Sequence, residues 1–168
     1  DLDNLPNNLP QIDGFIHSVA FAEKTDLEGH FSNTSRGGFL KAMDVSCYSL
    51  IGACRALKPK LNDYASIVTM SYLGGVRVVP NYNVMGVAKA ALECSVRYLA
   101  YDFGAEKKIR VNAISAGPVR TLAASGVKGM RSMIDEFANK SPIKEPIDNT
   151  DVGGTCLYLM SDLSKHIT

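Results

Sequence analysis

Apolar positions in this chain fall either into short unbroken runs or into longer stretches with helical spacing, and the alternation of the two predicts the element order. Residues 1–11, DLDNLPNNLPQ, carry no periodicity and read as a loop. Residues 12–22, IDGFIHSVAFA, read as a short buried strand and its exit loop. A polar run over 23–33 follows, after which Thr34 or Ser35 stands where a helix N-cap belongs. Phe39, Leu40, Met43, Val45, Cys47, Leu50, Ile51, Cys54 and Leu57 then recur at nearly helical spacing, and Pro59 ends the segment. Residues 65–70 form a second buried run. Leu92, Val96, Leu99, Ala100 and Phe103 mark one face of a helix over 88–103, closed by Gly104. A third strand is expected over 109–114, IRVNAI, broken by Ser115-Ala116-Gly117-Pro118. A short helix over 131–139, the prolines Pro142 and Pro146, and a last helix capped by Thr150 or Asp151 and reaching Met160 complete the pattern.

Strands alternating with amphipathic helices predict an α/β fold: a doubly wound parallel sheet of Rossmann type, covered on both faces. Residues 1–168 read as a single domain without internal repeats. The Gly-rich turn that opens a dinucleotide-binding unit is not found. Gly37-Gly38 and Gly153-Gly154 fall in or at the start of predicted helices, and Gly74-Gly75 lies in a loop. The expectation is therefore the C-terminal part of a dinucleotide-binding Rossmann-type domain, represented by its later strands and helices, with the N-terminal Gly-rich unit absent.

Composition narrows the function classes. Lys+Arg is 18 against Asp+Glu 17, a net charge of +1. No basic stripe with interleaved aromatics points to nucleic acid. The apolar runs are too short for a membrane span, and no export signal is apparent, so a cytoplasmic setting is expected. Cys47, Cys54, Cys94 and Cys156 lack metal or redox spacing and read as small reduced core residues. His17, His30 and His166 are scattered, so no metal site is expected, and His17 reads as a structural strand-end residue. Lys107-Lys108 reads as a solvated helix exit.

The candidate chemistry lies between the second strand and the helix that follows it. There Tyr72, Tyr82 and Lys89 gather at the carboxyl edge of the predicted sheet, the rim where ligands bind in open α/β folds. Tyrosine can donate a hydrogen bond to a developing oxyanion, and lysine supplies fixed positive charge beside it. A spacing of seven returns Tyr82 and Lys89 to one helix face. That spacing also occurs in Tyr101/Lys108 and Tyr158/Lys165, so context rather than spacing singles out the first pair.

The segment SYLGGVRVVPNYNVMGVAKAALE over 71–93 closely resembles the bacterial enoyl-[acyl-carrier-protein] reductase family, a divergent branch of the short-chain dehydrogenase/reductases. HSVAFA (17–22), RVNAISAGPVRTLAASG (110–126) and DVGGTCLYLMSDLS (151–164) resemble its other signature segments in the same order. The resemblance implies NADH-dependent reduction of a trans-2-enoyl thioester on acyl carrier protein, in fatty-acid synthesis, by a homotetramer. It implies that Tyr82 hydrogen-bonds the thioester oxygen, that Lys89 binds the nicotinamide ribose and tends to lower the tyrosine's pKa, and that Tyr72 lines the same pocket. By the same resemblance Ser18 and Val19 approach the cofactor, and Ala22 borders the acyl pocket. Gly117, Pro118, Val119, Arg120, Thr121, Leu122 and Ala123 wrap the nicotinamide end, with residues 121–130 as a mobile lid. A valine after a strand is ordinarily core, and a Gly-Pro pair is ordinarily just a turn.

A typical short-chain dehydrogenase places its Tyr and Lys four apart, with a Ser before them. Here the pair is seven apart with a second tyrosine. That departure disfavours ketone or alcohol chemistry, in which the tyrosine exchanges a proton with the reacting oxygen. Two other readings remain open: a short-chain dehydrogenase acting on a ketone or alcohol, and a non-catalytic nucleotide sensor of the same fold.

Overall fold

The computed structural model describes residues 8–121, 124 and 127–168. Among them three strands, β1 (Ile12–His17), β2 (Leu61–Tyr72) and β3 (Arg110–Ala116), form a parallel sheet in the order β1-β2-β3. β1 is joined to β2 by α1 (Arg36–Met43), a five-residue π-helical segment (Asp44–Tyr48) and α2 (Ser49–Leu57). The long helix α3 (Asn83–Lys107) joins β2 to β3, and α4 (Met130–Lys140) and α5 (Asn149–Met160) follow. The predicted α/β alternation is thus the observed one.

β2 is the centre of the fold because its side chains are buried alternately on two faces. On one face Leu61, Ala65 and Ile67 pack with Leu50 and Cys54 of α2, with Leu92, Val96 and Phe103 of α3, and with Ile109 and Val111. On the other, Val68 and Ile114 pack with Cys156 and Leu159 of α5. Helices therefore cover both faces. Arg110 fastens the second layer: its buried guanidinium donates to the Leu159 and Ser161 carbonyls and to Ser164 Oγ.

Several boundaries differ from expectation, each for a local reason. β1 pairs only with β2 among the described residues and is not a buried strand; Ile16 is 53% exposed. β2 starts at Leu61, four residues before the apolar run. A register irregularity there leaves Tyr64 in the left-handed region at φ 65°. Opposite it, Gly14 lies so near β2 that a Cβ would fall 1.9 Å from the Ser66 carbonyl oxygen. α3 passes through Gly104 and ends at Lys108, a left-handed C-cap at φ 58°. Lys107 and Lys108 are not merely a solvated exit: Lys107 Nζ donates to the Leu61 carbonyl and Lys108 Nζ to the Tyr64 hydroxyl.

Ser35 caps α1, its hydroxyl accepting from the Gly38 N–H. The last helix is capped by Asp148, not by Thr150 or Asp151; Asp151 instead completes a reciprocal capping box with it. Cys47, Cys54 and Cys156 are buried as expected, but Cys94 is exposed, because it falls on the outward side of α3. No helix among the described residues is long and apolar enough to cross a membrane.

Leu92 has no exposed surface and joins α3 to β2. Truncation to alanine should cost about 2–5 kcal/mol, read as a lower urea midpoint at unchanged slope.

Candidate active site

A cavity of about 1050 Å³ opens at the carboxyl ends of all three strands. Ser18, Val19, Ala20, Phe21 and Ala22 after β1, Met70, Ser71 and Tyr72 at the end of β2, and Ala116, Gly117, Pro118, Val119 and Thr121 after β3 line it. Tyr82, Met85 and Lys89 enter from α3, and Asn149, Val152 and Cys156 from α5. The strand-to-helix rim inferred from the sequence is therefore one continuous hollow.

Tyr72 ends β2, and its ring meets that of Tyr82 edge-on at 4.9 Å between centroids. Tyr82 does not lie on the helix face two turns before Lys89; it is the N-cap of α3. Asn81 precedes it in the left-handed region at φ 61° and turns the chain into the helix. Gly74 makes room for the ring: a Cβ there would lie 2.4 Å from Tyr82 Cδ1. Gly86 in turn receives the Gly74 carbonyl, whose oxygen lies 2.8 Å from where a Cβ would stand. Asn83 Nδ2 donates to the Glu28 and Gly29 carbonyls, tying the start of α3 to the loop beyond β1.

Lys89 is 6% exposed, and its Nζ donates to the Met70 carbonyl at 2.6 Å. Burial lowers its pKa to about 8, with the Glu93 carboxylate pulling the other way. Tyr82 moves oppositely. Burial, then the neighbouring Tyr72, raise its pKa. The net direction is thus upward, set by withdrawing the phenolate from water, and Lys89 is not among its causes. Burial raises Tyr72 as well. Both phenols are therefore protonated donors at neutral pH.

His17 is structural, as expected. Its Nδ1 lies 2.9 Å from Thr69 Oγ1 and its Nε2 2.8 Å from Ser49 Oγ. The Ser49 hydroxyl also donates to the Val45 carbonyl, and the Thr69 hydroxyl to the His17 carbonyl. Burial and the Lys89 charge lower the His17 pKa, favouring the neutral imidazole.

Of the residues that the resemblance marked, Ser18, Val19, Ala22, Tyr72, Tyr82, Lys89, Gly117, Pro118, Val119 and Thr121 share the cavity. Arg120 is exposed and does not line it. Leu122 and Ala123 lie outside the described residues, as does part of the 121–130 segment. Gly117 has a packing reason to be glycine: a Cβ would meet Phe137 at 2.8 Å and Ile147 at 2.9 Å. Sequence reasoning missed the α5 wall, whose apolar residues look like ordinary core. It also missed Ser46, buried in the π-helical segment, which accepts from the Phe21 N–H and donates to its carbonyl, fixing the strand exit loop.

A family model described as enoyl-(acyl carrier protein) reductase matches residues 2–168. The chain belongs to the enoyl-[acyl-carrier-protein] reductase family. It is 51% identical over 166 residues to the NADH-named FabI enoyl-[acyl-carrier-protein] reductase of Nostoc sp., a match covering 99% of this chain and 64% of the relative. Identity to the NADPH-named FabI of Staphylococcus aureus MRSA252 is 50%, with the same coverage. The crystal structure of the Bacillus cereus enoyl-acyl carrier protein reductase with NADP+ and indole naphthyridinone superposes with a TM-score of 0.91 at 49% identity. That superposition covers 94% of this chain and 61% of the other. The chain thus spans somewhat less than two thirds of the length of these reductases, and the part of the Rossmann-type fold it carries includes the cavity.

The buried ammonium gives a test that needs no substrate. In the folded chain Lys89 loses its proton near pH 8 rather than near the ordinary 10.5, so between those values the unfolded chain binds more protons. Stability attributable to Lys89 should therefore rise with pH across that window, by roughly 2–3 kcal/mol. Urea unfolding of the wild type against Lys89→Met at pH 7.5 and 9.5 checks it; a parallel dependence in both would contradict the assignment.

Proposed function

We propose that this chain carries the reductive site of an enoyl-thioester reductase that uses a reduced nicotinamide dinucleotide, NADH in the first instance. The observation that carries the reading is the meeting of Tyr72, Tyr82 and a buried Lys89 in one cavity at the carboxyl edge of a parallel sheet. Membership of the family supports it. Residues 1–168 are then the later, site-bearing part of a dinucleotide-binding domain.

The donor set fits a nicotinamide nucleotide. The Lys89 ammonium has three donors, one of which serves the Met70 carbonyl, and the others suit ribose hydroxyls. Ser18 and Val19 after β1 and residues 117–119 after β3 border the same space, and Thr121 adds a hydroxyl. When bound, the nucleotide supplies a hydride to the substrate's β-carbon. Charge then develops on the thioester oxygen as an enolate, and the protonated Tyr82 hydroxyl stabilises it by a hydrogen bond. Such a donor contributes about 3–4 kcal/mol. Tyr72 closes one wall against the Tyr82 ring and keeps it oriented. Lys89 holds positive charge beside the developing anion, and Ala22 leaves room for the acyl chain on the β1 side.

The raised Tyr82 pKa favours this chemistry over ketone or alcohol reduction, which asks the tyrosine to give up its proton readily. A nucleotide sensor would have no use for two phenols in the cavity. The thioester is proposed to arrive on acyl carrier protein, in the cytoplasm. Exposed Tyr98 and Tyr101 on α3 support assembly into a homotetramer through that helix.

NADH consumption with a crotonyl thioester, and separately with a β-ketoacyl thioester, tests the proposal. Turnover of the first alone is expected; turnover of the second alone, or nucleotide binding with neither, would replace it. Tyr82→Phe should lower kcat about 10²–10³-fold with little change in nucleotide affinity. Lys89→Met should instead raise the KM for the nucleotide.

A further inference from the structure

Two ties cross the seam between the end of β2 and α3, and they run side by side. Lys89 Nζ donates to the carbonyl of Met70, and the next residue, Ser71, donates through Oγ to Glu93 Oε1 at 2.5 Å. Lys89 and Glu93 are four apart on α3 and therefore share a face. Ser71 is buried and lines the cavity; Glu93 does not line it. The turn after β2 covers the carboxylate. A Cβ on Gly75 would lie 3.1 Å from Glu93 Oε1 and 3.2 Å from the backbone of Lys89 and Ala90.

The groups facing Lys89 decide what this arrangement does. From β1 comes His17, whose neutral form the Lys89 charge favours. Tyr72 from β2 and Tyr82 from the α3 N-cap are protonated phenols. Glu93 is the anion among the described groups that acts on Lys89 and favours its charged form. A buried ammonium whose other charged or titratable neighbours are neutral is favoured by that carboxylate, alongside the Met70 carbonyl it donates to.

We propose that Glu93 is a positioning residue of the site: through Ser71 it holds the carboxyl end of β2 in register with α3, and it sets a negative charge one helical turn from the Lys89 ammonium. The significance for catalysis rests on the reductase reading, but the test does not. Glu93→Gln removes the charge and keeps an acceptor for Ser71, whereas Ser71→Ala keeps the charge and removes the tie. The Lys89 side chain is followed by NMR through a pH titration of the 168-residue chain, its signal identified by its loss in Lys89→Met.

Glu93→Gln should lower the Lys89 midpoint by about half a pH unit or more, a change that a purely structural role would not produce. Ser71→Ala should leave the midpoint nearly unmoved and speed amide exchange over 70–72 about tenfold. An unchanged Lys89 midpoint in Glu93→Gln overturns the proposal. If that variant does not fold, unchanged exchange in Ser71→Ala overturns it and accelerated exchange sustains it. A chain that shows the Lys89 shift but reduces no enoyl thioester keeps the positioning role and loses the reductase reading. Turnover with no shift does the reverse.

Discussion

The structure turns on keeping one ammonium out of water. Lys89 sits on the second turn of α3 against the end of β2, where the Met70 carbonyl replaces part of its hydration shell. A lone buried cation is costly, so its surroundings must be closely specified. α3 must run near enough to β2 for a lysine to reach a main-chain oxygen, and Gly74, Gly75 and Gly86 allow that approach. Because β2 is buried on both faces, its end is a firm platform rather than a frayed strand.

The same seclusion separates the roles of the site's groups. Burial drives the Tyr82 pKa up, so that phenol keeps its proton near neutrality, and the lysine's pKa down to about 8, which still leaves it mostly charged there. The outcome at the two phenols and the ammonium is a set of hydrogen-bond donors. That suits an oxygen that gains negative charge during reaction far better than one that must exchange a proton. His17, which could have served as a base, is instead used at both nitrogens by Thr69 and Ser49.

Away from the cavity the sheet is held by a different set of contacts. Lys107, Lys108 and Tyr64 close the amino end of β2, and Arg110 clamps the turn after α5. These long side chains bond to carbonyls and hydroxyls of neighbouring elements, so the α3–β2–α5 layers are locked at the edge opposite the cavity. The rim is left to loops whose conformation is set by single residues, such as Asn81 before Tyr82 and Ser46 beneath Phe21. A sheet locked at one edge with loops gathered at the other is the arrangement in which α/β units place binding residues.

Much of this was written in the chain itself. Continuous apolar runs and helical spacing determined three parallel strands and the helices between them, because burial on one or two faces imposes its period on the sequence. The long motif over 71–93 identified Tyr72, Tyr82 and Lys89, since residue types that carry chemistry stand out from core types. Tertiary structure alone decided where Tyr82 sits, at an N-cap set by a left-handed Asn81 rather than on a helix face. It also decided the direction of that phenol's pKa, which burial and the neighbouring Tyr72 push upward. The exposed edge of β1, the extension of α3 past Gly104 and the pairing of Ser71 with Glu93 were likewise hidden. Each depends on what a distant segment brings to the same place, and no local pattern encodes that.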